Sequence, residues 1–515
     1  MKMFTILFLY FVVNNCDTYK ILGIFPHSAR SHHIYFTALV EELAIRQHDV
    51  TVINYHPMRN LSTLRQISLK DEEDVHVNVD IEKRLELMPI SDILMAYTTA
   101  KKYKIIANTS CKKLLNNLEV RKIIGASYHY DLVIIEHFVS DCGFAIAYKL
   151  NAPVIGITAH ILKPWTYSRL GAPNNAAFVP NHFFSSGIKP NLLNKIKSVI
   201  INFGMNMYYE HVIQKSDQEI VHEVYPDTPL LKDLGKNMSL IMLNQYFPLT
   251  GPRLHSCNVV EVGGMHVTEN NLIPDQGLRN FLDSTNKSVI YIGFGSLASN
   301  LPRKLSNEII KLLKKSNKAF VWKTDITNWV PPSNVFIGKW MPQVAVLCHP
   351  KVIGFISHSG MLSTTEAIHC GVPIISVPLF GDQFANAQSV VESKIGVAVD
   401  VLTVTEKVLE NALETIIQEK YQRKAKELSL IWKDRPLSAM DTAIFWIEYV
   451  ARNKGAVNMK PPTINLPFYE YYMIDVLLVL GSSILLIVFT VKETILLVTT
   501  LLVTKVKRDL HMYIR

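Results

Sequence analysis

The chain has 515 residues, of which 49% are hydrophobic and 19% are charged, a composition that excludes an intrinsically disordered protein. Its 22 glycines and 24 prolines exclude a collagen-like chain, and long apolar runs occur only near the two ends, which excludes a multi-pass transporter. The net charge of +9 comes from lysines and arginines scattered along the chain, so it gives little support to nucleic-acid binding.

The first element in chain order is a short apolar segment at the N-terminus. Lys2 precedes a run of apolar and weakly polar residues at 4–13. This run is too short to cross a bilayer, but it has the length of the hydrophobic part of a signal peptide. We therefore predict that residues 1–18 are a signal peptide, cleaved between residues 16 and 19, that directs the chain into the secretory pathway.

The first half of the body alternates predicted strands and helices. The predicted strands are residues 20–25, 50–53, 131–135 and 153–157, and the predicted helices lie near residues 36–44 and 144–149. This alternation is typical of a doubly wound parallel sheet, so we expect a Rossmann-like domain over residues 19–250. Its less regular part, residues 163–245, is rich in Phe, Tyr, Met and Pro and is either a set of core helices or the wall of an apolar pocket.

Glycines and prolines cluster after this half and predict a linker over residues 251–274. The alternation then restarts. The predicted strands of the second half are residues 288–292, 319–323, 334–337, 353–356 and 373–377. Two successive α/β units of similar size predict two facing Rossmann-like domains with a cleft between them, the second over residues 275–455.

The C-terminal region contains the longest apolar run. Residues 473–491 are almost wholly apolar and have the length of about one bilayer crossing. A second apolar stretch, residues 495–504, precedes four basic residues, Lys505, Lys507, Arg508 and Arg515. We predict a juxtamembrane segment at 456–472, a transmembrane helix at 473–491 and a basic cytosolic tail at 492–515, with the end of the span left open. The alternative is a buried C-terminal helix.

Cysteines and glycosylation sequons bear on the compartment. The six cysteines are Cys16, Cys111, Cys142, Cys257, Cys348 and Cys370. Cys16 would leave with the signal peptide, and the other five are too few and too widely spaced for us to expect a disulfide framework. The Asn-x-Ser/Thr sequons begin at Asn60, Asn108, Asn237 and Asn286, and they agree with a body in the lumen of the secretory pathway.

The most informative stretch is residues 340–383. His358-Ser-Gly360 forms a predicted tight turn between a strand and a helix that begins near Ser363. A helix N-terminus presents free N–H groups and the positive end of the helix dipole, which suits a diphosphate. Gly360 lets a ligand approach the backbone, and His358 and Ser363 can donate hydrogen bonds to phosphate oxygens.

Other polar and aromatic residues of this stretch complete a nucleotide-sugar pocket. Glu366, one turn into the helix, can bridge two ribose hydroxyls, as acidic residues do in dinucleotide sites. Trp340 offers a flat face for a base, and Asp382 and Gln383 can bind sugar hydroxyls. The pattern therefore predicts a pocket for a base, a ribose, two phosphates and a sugar.

This stretch closely resembles the signature of the UDP-dependent glycosyltransferases, above all the membrane-bound animal enzymes of insect type. The likeness extends to Ser31-His32, Tyr130-Asp-Leu-Val133, Phe294-Gly-Ser296, Asp434-Arg-Pro436, Asp441-Thr-Ala443 and Glu448-Tyr-Val450. The resemblance implies the GT-B fold of two Rossmann-like domains, an acceptor-binding first domain and a UDP-sugar-binding second domain. It implies an inverting mechanism that needs no metal and no cofactor, and it adds Ser296 and Gln343 to the donor-binding residues.

The sequence departs from the family pattern at two positions. The family often has a second glycine where Ser359 stands, and it often has asparagine at the position of Leu362. Insect-type members commonly have an apolar residue at the latter position, so we expect tuning of donor binding and not loss of activity.

Glycosyl transfer to a hydroxyl needs a base, and histidine suits this role because its pKa lies near neutral pH. Residues 27–33 read His-Ser-Ala-Arg-Ser-His-His, and the resemblance assigns the base to His32, with His27 as a weaker candidate. A carboxylate should orient the base. Position in the family pattern favours Glu136 and residue type favours Asp141, and the sequence leaves both open.

The resemblance thus implies inverting transfer of a sugar, glucose before others, from a UDP-sugar to a hydroxyl of a small lipophilic acceptor. The alternatives are glucuronosyl or galactosyl transfer, including transfer to a lipid, or a non-catalytic binding protein on the same fold. A glucuronate donor should need a further cation near Asp382, and the sequence indicates none. We expect a single-pass type I protein of the endoplasmic reticulum membrane with its body in the lumen. Membrane-anchored relatives often self-associate, which allows a homo-oligomer.

Overall fold

The computed structural model describes residues 18–70, 91–126, 128–187, 189–268, 272–295, 301–326 and 328–514. The predicted signal peptide up to residue 17, the predicted donor ligand Ser296 and the terminal Arg515 therefore lie outside the described residues.

The first half of the chain forms a sheet of seven parallel strands in the order β3-β2-β1-β4-β5-β6-β7. The strands are β1 (Lys20–Ile24), β2 (Asp49–Asn54), β3 (Leu64–Ser68), β4 (Leu132–Glu136), β5 (Val154–Thr158), β6 (Leu240–Leu243) and β7 (Val259–Glu261). The inner strands β4 and β5 are buried over their whole length, as expected of parallel strands covered by helices on both faces.

Helices connect these strands, and they occupy most of the region whose sequence looked irregular. They are α1 (Arg30–Ile45), α2 (Asp92–Asn116), α3 (Leu118–Gly125), α4 (Cys142–Lys149), α5 (Pro164–Leu170), α6 (Leu192–Tyr208), α7 (Lys215–Val224), α8 (Leu231–Lys236) and α9 (Phe247–Thr250). A π-helical turn, Tyr209–Gln214, joins α6 to α7. The Ser91 and Asn191 side chains accept backbone N–H groups at the starts of α2 and α6, which stabilises those ends.

The second half forms a sheet of six parallel strands in the order β10-β9-β8-β11-β12-β13. The strands are β8 (Val289–Gly293), β9 (Ala319–Lys323), β10 (Val335–Gly338), β11 (Val352–Ser357), β12 (Ile374–Ser376) and β13 (Gly396–Ala398). The helices are α10 (Gln276–Ser284), α11 (Arg303–Lys315), α12 (Gln343–Leu347), α13 (Met361–Cys370), α14 (Gln383–Glu392), α15 (Glu406–Ile416), α16 (Glu419–Lys433) and α17 (Ala439–Arg452).

The two sheets share one topological feature. In each, the strand order reverses between two central strands, β1 and β4 in the first sheet and β8 and β11 in the second. Doubly wound sheets bind their ligands outside the carboxyl ends of the strands at this point. The loops after these four strands are therefore where functional side chains are expected.

The last helix of the second half returns to the first sheet. Ile444, Ile447 and Val450 of α17 are buried in the apolar cluster of that sheet. Two polar contacts to the first half accompany them: Asp441 Oδ1 lies 2.5 Å from Arg46 Nη2, and Glu448 Oε1 lies 3.3 Å from His48 Nε2. Residues up to Pro461 thus form one compact unit, and the domain boundaries expected from the sequence stay predictions.

The structure contains two disulfides, Cys111–Cys142 and Cys348–Cys370, so the expectation of no disulfide framework is wrong. Separations of 31 and 22 residues along the chain looked wide. The distance that matters is in space, however, and the Cα atoms of the two pairs lie 5.5 and 4.7 Å apart, within bonding range. Cys257 is free.

Residues from Pro462 onward form a second unit, in which a short helix, α18 (Phe468–Tyr471), precedes α19 (Ile474–Tyr513). By length and composition α19 is able to cross a membrane, and it is the one such helix among the described residues. It has 40 residues and continues through Lys492. The end of the predicted span at residue 491 is therefore not the end of the helix.

The sequons differ in their surroundings. Asn60, Asn237 and Asn286 are exposed and lie outside the helices and strands. Asn108 lies in the middle of α2 with its Oδ1 atom buried, so it is poorly placed to receive a glycan.

Candidate active site

A buried histidine and a buried carboxylate meet where the first sheet reverses its strand order. His32 lies in the first turn of α1, after β1, and Glu136 is the last residue of the neighbouring strand β4. His32 Nδ1 lies 2.5 Å from Glu136 Oε1, and both side chains are almost fully buried. When Glu136 is ionised, Nδ1 donates to it and Nε2 is left as a proton acceptor.

Burial sets the protonation of this pair. It raises the pKa of the Glu136 carboxyl to about 7. It also lowers the pKa of His32 well below its usual value, and the neighbouring His160 and Lys163 act in the same direction. His32 is therefore neutral at neutral pH, which is the form that a general base needs.

Asp141, the other candidate for the orienting carboxylate, lies elsewhere. Arg169 donates to both of its oxygens, at 2.8 and 2.6 Å, and Gln214 Nε2 donates to Oδ2 at 2.6 Å. The Arg169 guanidinium and these hydrogen bonds lower the pKa of Asp141 despite its burial. Asp141 therefore forms a structural ion pair with Arg169 at the start of α4. Of the two candidate carboxylates, Glu136 contacts His32 and Asp141 does not.

His27, the weaker candidate for the base, lies beside the site. Its ring centroid is 4.8 Å from that of His32 and 5.0 Å from that of Phe138, on which it stacks. Burial lowers its pKa to about 3, and its ring faces the edge of the His32 ring.

His160 is a residue of the site that sequence reasoning missed. It follows β5, and its Nε2 atom lies 3.0 Å from His32 Nε2 while its Nδ1 atom lies 3.3 Å from Asp382 Oδ2. One side chain thus joins the first-half base to the second half. The sequence could have indicated His160, because a histidine two residues after β5 must lie at the same sheet edge as His32.

The contact with His160 also defines when His32 can react. Two Nε2 atoms that face each other need one proton between them, which one ring donates and the other accepts. A substrate hydroxyl that gives its proton to His32 Nε2 must therefore take the place of His160 in this hydrogen bond.

In the second half, glycines surround His358 where the second sheet reverses its order. A Cβ atom added at Gly360 would lie 2.5 Å from His358 Nε2, and one added at Gly295 would lie 2.9 Å from Cε1. Neither position tolerates a larger side chain without moving the imidazole. Gly360 precedes α13 and caps it without a side-chain hydrogen bond, which leaves N–H groups at the helix start without a side-chain partner.

Three predicted donor ligands form one hydrogen-bonded group beside this turn. Gln343 Nε2 donates to Ser363 Oγ at 2.8 Å and to Glu366 Oε2 at 2.5 Å. Glu366 Oε1 lies 3.2 Å from Nε2 of His266, a residue of the predicted linker that the sequence did not indicate. The group is buried and ordered by its own contacts.

The remaining predicted donor ligands differ in their contacts. Trp340 follows β10 and is 63% exposed, so a face of its ring is open to a base. Asp382 accepts from Asn386 Nδ2 at 3.0 Å in addition to its contact with His160. The side-chain oxygen of Gln383, Oε1, accepts hydrogen bonds from the backbone N–H groups of Leu379 and Phe380. Gln383 thus shapes the loop, and only its side-chain nitrogen is left for a ligand.

The two departures from the family pattern have structural reasons. Ser359 has φ +59°, in the left-handed region that favours glycine. Leu362 packs against the apolar cluster of the first sheet, so an apolar side chain contributes there to contact between the halves.

Comparisons with known proteins agree along nearly the whole chain. A family model described as UDP-glucoronosyl and UDP-glucosyl transferase matches residues 20–509. UDP-glucosyltransferase 2 of Dactylopius coccus is 30% identical over 483 residues, which cover 92% of this chain and 92% of that protein. UDP-glucuronosyltransferase 1A1 of Rattus norvegicus is 28% identical over 478 residues, or 90% of this chain and 88% of that protein.

Solved structures show the same architecture. A UDP-glucose: anthocyanidin 3-O-glucosyltransferase in complex with UDP has a TM-score of 0.57 and 18% identity, covering 85% of this chain and 99% of that one. A Polygonum tinctorium UDP-glucosyltransferase capable of glucosylating indoxyl has a TM-score of 0.56 and 16% identity, with the same two coverages, 85% and 99%. At these identities the likeness shows the fold alone, which is the GT-B arrangement of two Rossmann-like domains.

Proposed function

Because the chain belongs to the UDP-glycosyltransferase family, whose members transfer a sugar from a UDP-sugar, we propose that it forms a β-glycoside on a hydroxyl of a small lipophilic acceptor. We propose glucose as the sugar, since the insect relative at 30% identity is a glucosyltransferase. The observation that carries the mechanism is the contact of His32 with Glu136 at the end of the first sheet.

The reaction begins with the acceptor hydroxyl in place of His160 at His32 Nε2. His32 removes the proton as the acceptor oxygen attacks the anomeric carbon of the sugar. The bond from that carbon to the UDP oxygen breaks, and attack from the opposite face converts an α-linked donor into a β-glycoside. Glu136 stabilises the imidazolium that forms, because its charge lies 2.5 Å from Nδ1.

The second half holds the leaving diphosphate. The start of α13 offers its N–H groups and dipole to the phosphates, with His358 and Ser363 as side-chain donors. Fixed donors aimed at developing negative charge are typically worth about 10²–10³ in rate each. Glu366 is placed for the ribose, Trp340 for the base and Asp382 for the sugar, as the family pattern implies.

The anchoring of the chain is also part of the proposal. We propose that α19 fixes the protein in the endoplasmic reticulum membrane with its body in the lumen. Two disulfides and three exposed sequons support an oxidising, glycosylating compartment.

Microsomes that express the chain test the proposal through UDP release. UDP-glucose, UDP-glucuronate and UDP-galactose are offered separately with a panel of phenols and sterols, for the wild type, His32→Ala and His33→Ala. His33 is the matched control, since it lies on the same helix and contacts Thr37 and not the site.

We expect release with UDP-glucose, lost in His32→Ala and kept in His33→Ala. UDP release with another donor alone would show that the transferred sugar is not glucose. UDP binding without release in any combination would favour the non-catalytic binding protein.

A further inference from the structure

A buried lysine beside the base has no part in the mechanism above. Lys163 precedes α5, and its side chain is 2% exposed. Its Nζ atom has no hydrogen-bond partner and no carboxylate within 4.0 Å among the described residues. Nζ lies over the ring of Phe138, 4.3 Å from the ring centroid.

The ring of Phe138 places this ammonium group at the reacting centre. The Phe138 centroid lies 4.9 Å from the His32 ring and 5.4 Å from the His160 ring. Phe138 also lines a small cavity with His27, Ser110 and Glu136. Lys163 and His32 therefore contact the same aromatic ring.

An unpaired ammonium group in the interior is costly, and a cation–π contact returns only part of that cost. Burial therefore lowers the pKa of Lys163 to about 7, and a carboxylate bound beside Nζ would favour its charged form. Asp382 and Glu136 attract the charge from a distance, but neither oxygen is close enough for a hydrogen bond. The Lys163 donors are thus left for a group that arrives with a ligand.

The surroundings indicate the kind of ligand. Phe138 belongs to a buried apolar cluster that also contains the aromatic side chains of Tyr103, Trp165, Phe183 and Phe184. His182, whose buried Nδ1 atom also lacks a partner, lies 5.8 Å from the His160 ring and against Phe183. Two buried basic groups within an aromatic wall suit a planar acid.

We propose that Lys163, with His182 beside it, forms a subsite for a substrate carboxylate next to His32. The proposal rests on the function proposed above and names the class of substrate. Two substrates can bring a carboxylate here: an aromatic hydroxy acid as acceptor, or a UDP-uronic acid as donor. The sequence indicated no further cation near Asp382, and the structure contains one whose charge acts on Asp382.

The test compares an acid with a neutral counterpart in each role, a methyl ester for the acceptor and UDP-glucose for the donor. Full-length protein in microsomes receives UDP-glucose or UDP-glucuronate, each with 4-hydroxybenzoate or its methyl ester. The variants are Lys163→Met, which keeps the length and removes the charge, and Lys163→Arg, which keeps the charge. Lys149→Met is the matched control, because Lys149 lies over the Tyr225 ring but pairs with Asp227, away from the site.

For the wild type we expect at least tenfold lower KM for one acid over its neutral counterpart. Lys163→Met should remove this preference with little change in kcat for UDP-glucose with the methyl ester. Lys163→Arg should retain part of the preference. If the preference follows 4-hydroxybenzoate with either donor, the acceptor supplies the carboxylate. If it follows UDP-glucuronate with either acceptor, the donor does.

Equal kcat/KM of the wild type for the acid and its neutral counterpart in both roles would overturn the subsite without any variant. An equal loss in all four combinations in Lys163→Met would do the same. Failure of the proposed function looks different, with no UDP release in any arm. In that case, the subsite is decided by calorimetric binding of 4-hydroxybenzoate against its ester and of UDP-glucuronate against UDP-glucose, to wild type and Lys163→Met.

Discussion

The carboxyl ends of the two sheets share a topology but not a chemistry. At the first, near β1 and β4, the side chains are buried and titratable, as for His32, Glu136 and Lys163. At the second, between β8 and β11, glycines and an uncapped helix start surround His358, and the polar side chains hydrogen-bond each other. Under the proposed function, the first end moves a proton and the second holds a fixed charge.

The difference between the two sheet ends predicts that substitutions at the first end lower kcat and that substitutions at the second end weaken UDP binding. The largest effect is expected for Glu136→Gln, which keeps the shape but removes the charge that supports the imidazolium. We expect kcat to fall by about 10²–10⁴ with UDP affinity unchanged. Steady-state kinetics and UDP titration measure the two quantities, and a loss of UDP affinity instead would contradict the division.

Asp141→Asn tests whether Asp141, unlike Glu136, affects stability and not kcat. Breaking a buried ion pair leaves Arg169 uncompensated, so we expect a loss of about 3–5 kcal/mol in the free energy of unfolding. Urea denaturation measures the loss. At a temperature where the variant remains folded, its kcat should be near that of the wild type, and a fall like that of Glu136→Gln would restore Asp141 to the mechanism.

The pH dependence of kcat/KM tests the pair of His32 and Glu136. His32 presents an accepting Nε2 only when Glu136 is ionised, and burial raises the pKa of Glu136 to about 7. The active form therefore predominates above pH 7, and kcat/KM should fall about fiftyfold between pH 7 and pH 5. Glu136→Gln should lack this limb. Circular dichroism at each pH separates loss of activity from unfolding, and a flat wild-type profile would exclude Glu136 as the controlling group.

At the second end, Gly360→Ala should weaken UDP binding by about tenfold, since the new Cβ displaces His358. Calorimetry measures the Kd, and turnover at saturating donor should change less than affinity. Gly204→Ala is the control, because a Cβ there meets no other atom within 4 Å. An unchanged Kd in Gly360→Ala would show that His358 does not contact the donor.

The smallest effect concerns backbone conformation. Ser359→Gly relieves a left-handed residue, so we expect a gain of about 1 kcal/mol in the free energy of unfolding. Differential scanning calorimetry should show a higher Tm with UDP affinity unchanged. A lower Tm would mean that the buried serine makes contacts worth more than the strain.

The sequence predicted much of the fold. All nine strands named from it are present with ends within one residue, because buried parallel strands are short apolar runs with clear breaks. The strands it missed include the edge strands β3 and β13, of which β3 has only one buried residue and β13 has only three residues. Periodicity is weak where only part of a strand is buried.

The site was predicted where its residues adjoin in the chain and missed where they do not. The turn at His358 and the base at His32 stand in local motifs. His160 contacts residues more than a hundred positions away, namely His32 and Asp382. Lys163 is notable for its burial without a polar partner, which only the structure shows. The disulfides were missed for the same reason, since spacing along the chain does not give distance in space.

The Cys348–Cys370 disulfide has a consequence for how the protein is produced. It joins the residue after α12 to the last residue of α13, the two helices that carry Gln343, Ser363 and Glu366. A cross-link closing a loop of this length stabilises a fold by about 3 kcal/mol. A bacterial cytosol, which keeps thiols reduced, yields a chain without it. The choice of expression host therefore decides whether α12 and α13 are covalently joined in the purified protein.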